Sequence, residues 1–148
     1  MADVAAARDR ALAHLAGLQS ARGDWEGEMV WCPMITAQVV IARHIMGRPV
    51  DGPTRAGILR YFDASVGPDG AWGLHPESSG YVFVTTLVYV ALRLLDVPPA
   101  APLAAGARAW LHAQPGGVLA IPSWGKIWLA LLDLYGWAGV TPVLPELF

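Results

Sequence analysis

Apolar and polar positions alternate along the chain in a way that predicts six helices arranged as three hairpins. The first spans Asp3 to Gln19, with Asp3 placed to cap it and Val4, Ala11, Leu15 and Leu18 along one face. The second spans Met34 to Met46 and ends at Gly47. The third opens at Pro53, a good first-turn residue after Gly52, and runs to Ser65. The fourth covers Tyr81 to Leu95 and is stopped by Pro98-Pro99; the fifth covers Pro102 to Gln114 and is stopped by Pro115. The sixth covers Ser123 to Trp137. The run Val82–Val90 is β-branched enough to be a strand by propensity, but its repeat equivalents Met34–Met46 and Trp128–Trp137 read as helices, so it is assigned to a helix as well.

The helices alternate in character. The first and third are amphipathic, with Arg8, Asp9 and Arg10 on one and Arg55, Arg60 and Asp63 on the other. The second, fourth and sixth are apolar nearly all round, and such a helix is expected to be buried on every face. The fifth, Ala-rich with only Arg108 charged, fits an outer role less well. Alternating outer and inner helices predict an all-α fold of the α/α toroid type. Closing that ring takes about six hairpins, and repeat units bury their faces only against neighbours. Three hairpins therefore predict a partial α/α barrel.

Gly23, Gly70 and Gly117 stand 47 residues apart, each after a predicted helix. A fixed period of this size marks stacked supersecondary units. The first copy reads Gln19-x-x-x-Gly23-x-Trp25. The second keeps Gly70 and Trp72 with Val66 in the glutamine slot, and the third keeps Gln114 and Gly117 with Leu119 in the tryptophan slot. Glutamine at a helix end can bond orphan backbone groups of the next helix, glycine permits a left-handed turn, and tryptophan covers the loop with an apolar plate. These residues are expected to be structural clamps.

Composition sharpens this picture. The chain of 148 residues is 55% hydrophobic and only 15% charged, which for a small domain implies apolar surface turned toward protein, lipid or an apolar ligand. A net charge of −2 with scattered signs supplies no basic stripe for nucleic acid. The single cysteine, Cys32, leaves no internal disulfide and suits a reducing compartment. No signal-peptide pattern opens the chain, and no uncharged run reaches the length of a membrane-spanning helix, so membrane contact, if any, is expected at the surface.

Gln19-x-x-x-Gly23-x-Trp25 resembles the QW motif of triterpene cyclases, and Asp69-Gly70-Ala71-Trp72-Gly73-Leu74-His75 and Tyr89–Leu95 resemble stretches of the oxidosqualene branch. Gly116-Gly117-x-x-Ala120-Ile121-Pro122-Ser123-Trp124-Gly125-Lys126-x-Trp128-Leu129, followed by Tyr135-x-Trp137 and Pro145-Glu146, is the most specific likeness. The resemblance runs over nearly the whole chain and is to lanosterol or cycloartenol synthase-type enzymes. It implies an enzyme that folds an epoxidised C30 polyene in a dry aromatic cavity, with an aspartic acid protonating the epoxide, aromatic faces steering the carbocations, and no metal or organic cofactor. Residues 1–148 then correspond to the N-terminal part of the second barrel domain. The family's protonating Asp-Cys-Thr or Asp-x-Asp-Asp motif has no counterpart here, since Asp96 precedes valine and Asp133 precedes leucine. No catalytic residue is assigned, and the catalytic domain is expected elsewhere, in cis or in trans. Trp124 inherits the place of a cavity aromatic near the substrate. Trp31 is a second candidate wall in a stretch where the family has a tyrosine. The complete enzyme would be monotopic on the cytoplasmic side of a membrane; this chain alone is expected to be inactive and to dimerise or aggregate.

Other constellations are weak. His75-x-Glu77 lacks the Cys-x-x-Cys of zinc deaminases, and the histidines at 14, 44, 75 and 112 have no metal-ligand spacing. Asp24, Glu26 and Glu28 read as a solvated acidic turn. The competing function is a non-catalytic α/α module that holds an isoprenoid lipid or a partner chain. A prenyltransferase-like barrel ranks last, because Cys32 lacks an Asp-x-Cys context for zinc.

Overall fold

The computed structural model describes residues 3–26 and 32–142. The chain divides into two compact units, Met1–Val30 and Trp31–Phe148. The first holds helix α1, Val4–Leu18, whose N-terminal amides at Ala5 and Ala6 donate to the Asp3 carboxylate at 3.1 and 3.4 Å. The predicted cap is thus in place, satisfying donors that have no partner inside the helix.

The second unit holds α2 (Met34–Ile45), α3 (Gly52–Ser65), α4 (Val82–Leu94), α5 (Pro102–Ala113) and α6 (Ser123–Leu131), with short 3-10 turns at Gly117–Ala120 and Trp137–Gly139. No strand occurs among the described residues. The β-branched run is therefore helical, as its repeat equivalents indicated. Burial explains why propensity loses: nine of the thirteen residues of α4 are buried, and the helix packs between α2 and α5. Side-chain packing over that length outweighs a preference worth tenths of a kcal/mol per residue. Val84, Leu87, Val88 and Leu92 of α4 form one core with Val40 and Ile41 of α2, Phe62 of α3, Ala104 and Ala107 of α5, and Leu129 of α6.

Three helices end alike. The amide of Arg48 reaches the carbonyl of Arg43, that of Val97 reaches Leu92, and that of Leu134 reaches Leu129, each at 2.8–3.0 Å. The residue between, Gly47, Asp96 or Asp133, has φ of 64°, 58° or 59°. This is the Schellman termination, which consumes carbonyls left open at a helix C-terminus. It also corrects the sixth helix, expected to continue to Trp137. It stops at Leu131, because Asp133 takes the left-handed conformation and the chain turns off its axis. Aspartate tolerates that conformation better than most residues, but nothing in a pattern of apolar spacing marks it.

The expected burial of the second, fourth and sixth helices on every face holds only for α4. Ile35 and Val39 on α2, and Trp124 and Leu131 on α6, are exposed. Helices α3 and α4 are joined by a fork: Nε and Nη2 of Arg55 donate to the Leu95 carbonyl at 2.9 and 2.7 Å, satisfying another C-terminal orphan.

Candidate functional site

The repeat loops place their residues in closely similar turns. In the first loop the amide of Gly23 donates to Ser20 O at 2.9 Å and that of Ser20 to Asp24 O at 2.9 Å. In the second, Gly70 donates to Gly67 O at 3.0 Å and Gly67 to Ala71 O at 2.8 Å. Gly23 and Gly70 have φ of 86° and 79°, a region that costs any side-chain-bearing residue. Gln19 Nε2 donates to the Gly23 carbonyl at 2.8 Å, closing the turn onto itself rather than onto a following helix. Trp25 Nε1 then reaches back to the Leu15 carbonyl at 2.7 Å, and Trp72 Nε1 to the Phe62 carbonyl at 2.9 Å.

The third loop departs from this pattern. Gly117 still bonds to Gln114 O at 2.9 Å, with φ of 51°, but the Gln114 side chain turns back to the carbonyl of Trp110 at 3.1 Å. Leu119, in the tryptophan slot, is 61% exposed. Without an indole N–H there is no donor to span back to the preceding helix, and the loop winds into a 3-10 turn instead.

Two further contacts, not read from the sequence, fix the second loop. The Trp72 amide donates to Thr85 Oγ1 at 3.0 Å, and that hydroxyl donates in turn to Trp72 O at 3.1 Å. Thr85 is fully buried, so one side chain ties loop to α4 with both of its hydrogen-bonding capacities. The loop also lies against α5: the Gly70 and Gly106 backbones approach closely, and any Cβ on Gly80 would stand 2.7 Å from Cζ2 of Trp110.

Trp124 lies in the first turn of α6, 56% exposed, and its ring meets that of Trp128 edge to face at 6.2 Å and 88°. Trp128 Nε1 is buried and has no acceptor among the described residues. Gly125, between them, lets α6 approach the Phe83 ring, which a Cβ would meet at 2.9 Å. Lys126 Nζ lies 5.9 Å from the centre of the Tyr135 ring. Ser123 Oγ donates to Thr141 Oγ1 at 3.0 Å, holding the chain after α6 against the helix start. Two perpendicular indoles offer aromatic faces to a cation, but no acid stands among these residues.

The acidic groups elsewhere are ordinary structural ones. Thr54 holds the Asp51 carboxyl below its usual range through its amide and hydroxyl. Burial raises the Tyr61 phenol, with the nearby Cys32 adding to it. Asp24 pairs with Arg22 at 3.3 Å and His75 Nδ1 accepts from the Glu77 amide, so both belong to turns. No group of His, Cys, Asp or Glu able to hold a metal occurs among the described residues, and no described helix is long and apolar enough to cross a membrane. Glu28, Trp31 and Pro145-Glu146 lie outside the described residues.

Residues 9–148 match the family described as squalene-hopene cyclase N-terminal domain. The chain belongs to that family. It is similar to human lanosterol synthase, 42% identical over 132 residues, which is 89% of this chain and 18% of that protein. It is 39% identical over 135 residues to cycloartenol synthase of Dictyostelium discoideum, covering 90% of this chain and 19% of that one. Protostadienol synthase A of Aspergillus fumigatus is 40% identical over 129 residues, 87% and 17% of the two chains. This cyclase N-terminal domain thus spans under a fifth of the length of these relatives.

Proposed function

We propose that this domain is one part of an oxidosqualene cyclase-type enzyme, supplying scaffold and a stretch of cavity wall for cyclisation of an epoxidised C30 isoprenoid to a sterol or triterpene. The observation that carries the reading is Trp124: the helix-opening indole of the Ile-Pro-Ser-Trp-Gly-Lys stretch is half exposed although it stands in a strongly apolar segment. Its edge-to-face partner Trp128 holds the ring in one orientation, which suits a face that must meet a transient cation. No residue of this domain is assigned the proton transfer. The aspartic acid that protonates the epoxide belongs to the remainder of the enzyme, joined in cis or supplied in trans, and no cofactor is required. The relatives named as lanosterol, cycloartenol and protostadienol synthases support this substrate class.

Membrane association of the complete enzyme on the cytoplasmic side is part of the same proposal. Alone, residues 1–148 are expected to turn over no oxidosqualene, and the exposed Ile35, Val39, Trp124 and Leu131 favour dimerisation. The test is substitution in the complete enzyme, followed by gas chromatography of products from oxidosqualene. Trp124→Phe keeps an aromatic face and should retain most activity. Trp124→Ala should lower kcat/KM by about 30-fold, the equivalent of roughly 2 kcal/mol of desolvated cation–π stabilisation. An alanine variant with unchanged rate and products would remove Trp124 from the cavity. Lipid capture by this domain with no turnover in any pairing would favour a non-catalytic isoprenoid-binding module.

A further inference from the structure

The third loop lacks its tryptophan, and a groove opens beside it. In the second hairpin the indole of Trp72 is fully buried against the Phe62 ring. Counted from the opening prolines of α3 and α5, Leu111 is the counterpart of Phe62; counted from the loop glycines, Leu119 is the counterpart of Trp72. Two leucines cannot fill the space of a phenyl ring and an indole, and Leu119 is exposed rather than buried. The open groove here has a volume of about 450 Å³ and is bordered by Tyr89 of α4, by Arg108, Leu111 and His112 of α5, and by loop residues 116–119.

Two kinds of chemistry meet in it. Arg108 and His112, four residues apart on one face of α5, supply donors together with the Tyr89 hydroxyl. None of these three side chains has a hydrogen-bond or ion-pair partner among the described residues, and no acid is among the residues that border the groove. The apolar members are Leu111, which is buried, and Val118 and Leu119, which are exposed. The loop amides are already used, Gly117 on the Gln114 carbonyl and Leu119 on that of Gly116, so an extended peptide would find no ladder to join.

We propose that this groove holds an anionic phospholipid of the membrane surface, with its phosphate on Arg108, His112 and Tyr89 and the start of its acyl chains on Leu111, Val118 and Leu119. The inference rests on the reading of the complete enzyme as membrane-associated. A small soluble anion would leave Val118 and Leu119 in water, and a purely apolar ligand would leave Arg108 without a counter-charge. A phospholipid satisfies both, and the volume suits a headgroup with its first methylenes while the rest of the lipid stays in the bilayer. The chain carries a net charge of −2, so attraction to an anionic surface has to come from a local cluster such as this one.

The first experiment mixes the chain with vesicles of phosphatidylcholine, alone or with about 20 mol% phosphatidylserine, and reads binding by co-sedimentation. The chain should favour the anionic vesicles. Arg108→Glu should weaken that binding about tenfold or more, because one cation at an anionic surface is worth about fivefold in affinity and its reversal adds repulsion. Arg60→Glu changes the net charge equally from an exposed position on α3 and should leave binding near its natural value. Leu119→Ser changes no charge and should also weaken it. No preference for anionic vesicles, or equal losses from Arg108→Glu and Arg60→Glu, would overturn the proposal.

A second measurement covers variants that do not fold. Dihexanoyl phosphatidylserine, titrated below its micelle concentration into the isotope-labelled natural chain, should shift amide signals of Tyr89, Arg108, His112 and residues 116–119. Shifts centred on Ile35, Val39 or Trp124 would overturn the proposal. The same shifts from inorganic phosphate alone would make the groove a soluble-anion site and overturn it too. The complete enzyme separates this inference from the reading beneath it. Failure to bind any vesicle would remove membrane association itself, whereas a preference for anionic vesicles untouched by Arg108→Glu would remove only the groove.

Discussion

The indole N–H of Trp72 donates to the carbonyl of Phe62 at 2.9 Å, and that of Trp25 to the carbonyl of Leu15 at 2.7 Å, ten residues back in each case. Both tryptophans close a loop by capping a carbonyl near the end of the helix before it, where the regular ladder supplies no donor. What separates them is burial, since Trp72 is fully buried and packs edge-on against the Phe62 ring, while Trp25 is 55% exposed.

Burial decides the cost of losing the bond. Trp72→Phe leaves the buried Phe62 carbonyl with only the longer bond from Ser65 Oγ at 3.3 Å and a void beside Phe62, and should destabilise the chain by about 2–3 kcal/mol. Trp25→Phe leaves a carbonyl that water can reach and should cost no more than about 1 kcal/mol. Urea unfolding of the two variants followed by circular dichroism compares them. Equal losses would show that burial does not set the difference.

Thr85 gives a sharper discrimination, because its hydroxyl both accepts from and donates to the backbone of Trp72. Thr85→Val keeps the shape and orphans the buried Trp72 N–H, while the Trp72 carbonyl keeps the Tyr81 amide at 2.9 Å, at a cost of about 1–3 kcal/mol. Thr85→Ser keeps both bonds and loses one methyl, at about 1 kcal/mol. Amide exchange at Trp72 should accelerate in the valine variant only. Similar stabilities for valine and serine would mean that the hydroxyl contributes through packing alone.

Much of this was legible in the chain and some was not, for physical reasons. Asp3, Pro53 and Pro102 announce helix starts because caps and first-turn prolines act locally, within a few residues. The loop glycines at 23, 70 and 117 announce turns, because positive φ excludes most side chains. The end of α6 escaped notice, since Asp133 fills a left-handed position usually given to glycine. Thr85 escaped too: thirteen residues separate it from Trp72, and a threonine in an apolar run carries no mark of a partner. Trp124 was singled out only through a likeness to known sequences, because composition does not distinguish a cavity aromatic from a core one.

Acid should weaken the start of α3. The amide and hydroxyl of Thr54 both donate to the Asp51 carboxylate, at 2.9 and 2.8 Å, and hold its pKa below the ordinary 3.8. As pH falls, the unfolded chain takes up this proton first. The stabilisation from Asp51 is therefore complete above the ordinary value and is lost as pH drops through the lower, folded one. Asp51→Ala should unfold at lower urea than the parent at pH 7, and the gap between them should narrow at pH below about 3.8. A gap independent of pH would show that charge plays no part in the cap.

Gly125 sets two opposing effects against each other. Alanine is the better helix former by about 1 kcal/mol, which favours Gly125→Ala within α6. The added Cβ, however, would stand 2.9 Å from Cδ2 and Cε2 of Phe83 and 3.0 Å from Cδ1 of Ile121, and both residues are buried. Phe83 packs edge-on against Tyr81 and has little room to withdraw, so overpacking of about 1–3 kcal/mol outweighs the propensity gain. Gly125→Ala should thus destabilise the chain. Gly136→Ala, where no atom of the described residues lies within 4 Å and φ is −72°, should be neutral or stabilising by a few tenths of a kcal/mol. Trimming the obstructing ring supplies the decisive cycle: in a Phe83→Leu background Gly125→Ala should cost less than in the parent, with a coupling of about 1 kcal/mol in thermal unfolding. Strict additivity of the two substitutions would mean that α6 does not rest on α4 at this point, and that another contact sets the orientation of the Trp124 ring.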